Sequence, residues 1–152
     1  MGWELRIEEQ AYVLSTSLNG QPVTLSRLQG GAERLLPGIG APGEAQLESA
    51  IETAEDWLMP HLSGQRKGQA LHVADLTGRL ASGLLNVLGT SERVWSLTDI
   101  EQVFEKVVDL ATGRNPPVAL SQHPLFVADL LLMREIAHHG QVASVRLFSD
   151  QP

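Results

Sequence analysis

Apolar and polar residues alternate from the third position of the chain. Trp3, Leu5 and Ile7 are interleaved with Glu4, Arg6 and Glu8, the two-residue period of a strand with one buried face. A second run, Tyr12 to Leu18, leads into Asn19-Gly20 and then to Val23, Leu25 and Leu28. Asn-Gly between two such runs marks a two-residue hairpin, because both turn positions want positive φ. Residues 3–28 are therefore expected to form a three-stranded antiparallel meander.

Residues 29–43 hold five glycines and two prolines and are expected to be a plain connection, with a lid over a site as the alternative. From Glu44 the period becomes helical. Leu47, Ala50, Ile51, Ala54, Trp57, Leu58 and Leu62 share one arc, with His61 inside it, while Glu48, Glu52, Glu55 and Asp56 face away as a solvated surface. Pro60 falls on the solvent side, where it kinks the last turn without ending the stripe. Ala70 to Asp75 reads as a short strand, and Leu80, Leu84, Val87 and Leu88 as the inner face of a helix stopped at Gly89. Gly83 borders that face, where a missing side chain permits close packing. Ser91 to Ser96 reads as a connection. Thr98 and Glu101 have capping-box spacing, and the helix they open places Val103, Val107 and Ala111 inward and Glu105 and Asp109 outward. Pro116 to Leu120 is expected to be extended, as a short edge strand, and Val142 to Phe148 closes the chain as a strand.

The segment between, Pro124 to His139, is apolar nearly all round. Pro124 suits the first helical turn, and Gly140 the left-handed position past the end. Arg134, Glu135, His138 and His139 share one side, and Leu125, Phe126, Leu132, Met133 and Ile136 the other. Asp129 lies inside the apolar arc. A carboxylate there needs a partner, and an arginine such as Arg79, Arg114 or Arg146 matches it bidentately.

Composition narrows the function classes. At 152 residues and 43% hydrophobic content the chain is expected to be one globular domain, residues 1–152, with a sizeable core. With no cysteine there is no disulfide, thiolate metal site or cysteine nucleophile. No apolar run suits a secretory signal or a bilayer span, so a cytoplasmic setting without membrane contact is expected. The net charge of −7 and the scattered basic residues argue against nucleic acid as a partner.

One local arrangement carries a mechanism. Strand, then Asp75-Leu76-Thr77-Gly78-Arg79, then helix offers unpaired N–H groups, a glycine for close backbone approach and an arginine fork for a phosphate or carboxylate. The simpler reading is that Asp75 or Thr77 caps the helix. The candidate ligand-binding residues are Asp75, Thr77, Gly78, Arg79 and Asp129. His138 and His139 point about 100° apart and cannot chelate one ion as an i, i+4 pair does, so neither a metal nor another cofactor is expected. No Gly-x-Ser-x-Gly elbow, Walker loop or dinucleotide fingerprint is present.

The expected fold class is α/β with a mixed sheet, a three-stranded antiparallel meander followed by alternating helices and strands. That order resembles the opening of ribonuclease-H-like and actin-like domains, a likeness of order that implies no activity. An α+β two-layer sandwich, with helices on one face, is the alternative. The leading functional expectation is a non-catalytic interaction or assembly module with a protein partner or self-association, drawn from the nearly all-apolar helix. The alternative is a small enzyme or ligand-binding protein that takes a small anionic, phosphate- or carboxylate-bearing substrate at Asp75–Arg79.

Overall fold

The computed structural model describes residues 2–37, 42–62, 68–112 and 124–149. Three strands open it: β1 (Trp3–Glu8), β2 (Ala11–Leu18) and β3 (Gln21–Gln29). They pair antiparallel as expected, Trp3 opposite Thr16 and Leu18 opposite Gln21. Asn19 and Gly20 turn the hairpin with φ of 54° and 78°, the positive values that favour this dipeptide. The register shifts between Leu14 and Ser15.

A short helix, α1 (Ala32–Leu35), lies in the glycine-rich connection and buries Ala32 and Leu35. Next come α2 (Glu44–Leu62), β4 (Ala70–Asp75), α3 (Arg79–Leu88), β5 (Val94–Ser96), α4 (Leu97–Thr112), α5 (Pro124–His139) and β6 (Ser144–Ser149). The sheet has six strands in the order β3-β2-β1-β4-β6-β5, with β4 parallel to both β1 and β6. The mixed α/β sheet and its meander-helix-parallel strand-helix order are those expected from the sequence.

Strand alternation sets the faces. Trp3, Leu5, Ile7, Leu71, Val73, Val145 and Leu147 are buried on one side, whereas His72, Arg146 and Phe148 on the other are exposed. On the covered side α5 is the centre of the core, packed by α1, α2, α3 and α4. Phe126 through Met133 are all buried without a break. Its apolar surface is thus consumed within the chain, because a helix enclosed by neighbours has no side that must be polar. A β-carbon on Gly83 would overlap the Phe126 ring, so α3 approaches α5 as closely as it does only with glycine there. Trp57 Nε1 donates to Ser26 Oγ (2.9 Å), fastening α2 to β3. The stripe of α2 runs through the exposed Pro60 to the buried Leu62.

Three local expectations are corrected. Val94–Ser96 is an edge strand antiparallel to β6 rather than a connection; three residues are too few to show a period. The capping box of α4 sits two residues earlier than Thr98/Glu101. Ser96 Oγ accepts from Asp99 N–H (3.1 Å) and Asp99 Oδ2 from Ser96 N–H (2.9 Å), leaving Glu101 to pair with Arg134 at 3.3 Å. The left-handed residue beyond α5 is Gln141, φ 50°, rather than Gly140. In α4, Val107 is buried, Val103 half-buried, and Glu105 and Asp109 exposed. The expected strand at 116–120 lies outside the described residues. No described helix is long and apolar enough to cross a membrane.

Candidate functional site

The inward alternation of β4, Leu71 then Val73, carries Asp75 into the interior at the strand's carboxyl end. Leu76 N–H still pairs with Ile7 O (3.0 Å); the chain then turns through Gly78, at φ 75°, into α3. This turn brings four donors onto the Asp75 carboxylate. Thr77 Oγ1 (2.8 Å) and Gly78 N–H (2.9 Å) reach Oδ1, and the N–H groups of Leu80 (3.0 Å) and Ala81 (3.2 Å) reach Oδ2. Thr77 Oγ1 in turn accepts from Arg79 N–H at 3.1 Å. The anion position at the start of α3 is therefore filled by the chain's own carboxylate, which caps the helix from three residues upstream.

Arg79 turns inward. Its Nε donates to Asp129 Oδ2 (2.7 Å) and its Nη2 to Asp129 Oδ1 (3.1 Å), while the Tyr12 hydroxyl also donates to Oδ1. The partner expected for Asp129 is thus present, and the cluster stitches β2, α3 and α5 together. Burial pushes the Asp129 carboxyl up to about 6, against the pull of the Arg79 and Tyr12 hydrogen bonds. Burial and the neighbouring Asp129 charge drive the Tyr12 hydroxyl well above its ordinary value. For Arg79 burial acts downward, but the Asp129 hydrogen bond and charge outweigh it and raise the guanidinium. The guanidinium forked onto the carboxylate at 2.7 and 3.1 Å makes an ion pair at neutral pH.

Of the five candidate residues, Asp75, Arg79 and Asp129 face inward and are committed to one another's elements. Thr77 and Gly78 face a cleft of about 440 Å³ between α3, the 90–93 segment and β6. Ser82 of α3, Thr90, Ser91, Glu92, Arg93 and Leu147 complete its polar and apolar wall. The cation on this cleft is Arg93, which is exposed, and not Arg79. Sequence reasoning missed Ser82 and the 90–93 segment, because hydroxyl residues after a helix-ending glycine look like any turn. Only the return of β6 past β4, with Leu147 N–H on Arg93 O at 2.8 Å, brings that segment opposite Gly78.

No protein-family model and no curated protein matches the chain. Solved structures do. The chain superposes on the Ppx/GppA enzyme of Aquifex aeolicus with a TM-score of 0.67 at 10% identity, covering 97% of this chain and 52% of that one. An exopolyphosphatase from Cytophaga hutchinsonii gives 0.65 at 12% identity, over 98% of this chain and 53% of that one. At such identities the likeness establishes the fold, the ribonuclease-H-like/actin-like α/β arrangement anticipated from element order. The chain spans about half the length of these structures. The expectation of a non-catalytic interaction or assembly module is corrected. The Aquifex aeolicus and Cytophaga hutchinsonii structures that share the fold are named as enzymes, and the helix that suggested a docking surface is enclosed by the chain itself.

Proposed function

We propose that this chain is the ligand-binding half of a phosphate-handling enzyme, and that the cleft beside Gly78 takes the phosphoryl group. The observation that carries the reading is the cleft itself. It opens at the carboxyl end of β4, where open α/β sheets receive ligands, and its wall combines Ser82, Thr90 and Ser91 with Arg93. Hydroxyl donors and a guanidinium fork match phosphate oxygens in number and geometry. The names of the structural neighbours, exopolyphosphatase and Ppx/GppA phosphatase, support phosphate over carboxylate as the anion. In this reading Glu92, the carboxylate on the same wall, orients a water for hydrolysis. Catalysis by phosphoryl transfer rests on positioning and charge stabilisation, and the cleft supplies the first of these. A cytoplasmic setting belongs to the same reading.

Calorimetric titration with inorganic tripolyphosphate tests it. The wild type is expected to bind, and Arg93→Ala to weaken binding about tenfold or more, the equivalent of roughly 1.4 kcal/mol or more from a charge-assisted contact. Absence of heat at millimolar tripolyphosphate, or undiminished affinity in Arg93→Ala, would overturn the assignment.

A further inference from the structure

A second cluster lies at the other end of α5, away from the cleft. Glu135 is fully buried, with Oε1 held by Arg134 Nη1 at 3.0 Å. Among the described residues its Oε2 has no hydrogen-bond partner, and neither has His139 Nε2. These two atoms stand 3.1 Å apart, on residues one helical turn apart. Glu55 of α2, expected to be solvated but in fact half-buried, brings its Oε1 within 3.5 Å of the same nitrogen. The three ligand atoms all lie within 4.8 Å of one another.

From this geometry we infer that Glu55, Glu135 and His139 form a binding site for a divalent transition-metal ion of the zinc type, joining α2 to α5. Metal–ligand bonds of about 2.0–2.2 Å meeting at 90–115° put neighbouring ligand atoms roughly 3.0–3.5 Å apart, the spacing His139 Nε2 has to each carboxylate. A buried carboxylate oxygen and an imidazole nitrogen that face each other without hydrogen-bond alignment are both satisfied by one cation between them. Charge fits as well. Glu101 and Glu135 pair with Arg134 at 3.3 and 3.0 Å while Glu55 faces His139, so the cluster holds three carboxylates to one guanidinium and a doubly charged ion balances the remainder. Arg134 on Oε1 orients Glu135 as an outer-shell partner does. The imidazole selects zinc-like ions over magnesium or calcium, which prefer all-oxygen shells. Glu135 and His139 are the i, i+4 pair on this face, a spacing hidden in the sequence by the more conspicuous His138-His139 doublet.

The test uses tag-free, chelator-stripped protein titrated with Zn²⁺ by calorimetry, with melting temperature read in parallel. One ion per chain should bind and raise the melting temperature, whereas Mg²⁺ at the same concentration should not. His139→Ala and Glu55→Gln, at positions only partly buried and therefore tolerant of change, should each weaken binding by about tenfold or more, and His138→Ala should leave it unchanged. Failure of Zn²⁺ to stabilise the wild type would overturn the site. So would equal affinity in His139→Ala and the wild type, or an equal loss in His138→Ala, either of which would indicate zinc on a surface histidine.

Discussion

The loop from Asp75 to Arg79 and the cleft wall that faces it, Ser82 and residues 90–93, differ in how completely their polar groups are used. Inside, the Asp75 carboxylate takes four donors and the Arg79 guanidinium is forked onto Asp129, which also holds the Tyr12 hydroxyl. Outside, Thr77 and Gly78 face an open cleft with Arg93 across it. A charge saturated by internal partners rigidifies the loop but has little left for a ligand. The charged residues that looked most like a binding site are therefore a frame, and in the proposed reading Ser82, Thr90, Ser91 and Arg93 across the cleft carry the recognition.

This contrast is broken most severely from the inside. Arg79→Ala, or Asp129→Leu, leaves a charge buried without its partner and should cost about 3–5 kcal/mol, read as a large fall in melting temperature. Asp129→Asn should also destabilise. An unchanged melting temperature in both Asp129 variants would show that the cluster is not structural. The pH dependence follows from the same group. The folded-state value of Asp129, about 6, lies above that of a free carboxylate, so the folded state holds the proton more tightly between about pH 4 and 6. Stability from this group is greatest below that window, falls as pH rises through it and is level above. Asp129→Asn should remove that slope, and a slope of equal size in the variant would assign it elsewhere.

Asp75→Ala comes next, at about 2 kcal/mol, since it strips the cap from α3 and leaves first-turn N–H groups buried without an acceptor. Urea unfolding would measure it, and a loss below a few tenths would mean that the four hydrogen bonds are not made in solution. The smallest effect on stability belongs to the outer side. Arg93→Ala, at an exposed position, should stay within about 0.5 kcal/mol of the wild type while losing tripolyphosphate binding.

Much of the fold was legible along the chain because its signals are local. Asn19-Gly20 announces its own turn, the 3–8 alternation its buried face, and the 100–110 stripe its helix. Beyond the arginine partner of Asp129, what failed to show was what depends on distant contacts. Tyr12 meets Asp129 across 117 residues, and only the need of a buried hydroxyl for an acceptor hinted at the contact. Helix α5 was misread as a docking surface because a helix enclosed within a chain and one covered by another molecule present the same apolar pattern. The cleft was half legible: Thr77 and Gly78 belong to a recognisable strand-turn-helix, but Ser82 and the 90–93 segment join it through packing alone. Glu55 looked solvated because its neighbours Glu52 and Asp56 are.

The central claim, that the outer side of this loop receives a phosphoryl group, is tested most directly by amide NMR of the folded chain during titration with tripolyphosphate. Saturable shifts are predicted for Thr77, Gly78, Ser82 and the 90–93 segment, with the Tyr12 and Asp129 amides nearly unmoved. Shifts confined to residues remote from the cleft, or none at millimolar ligand, would contradict it.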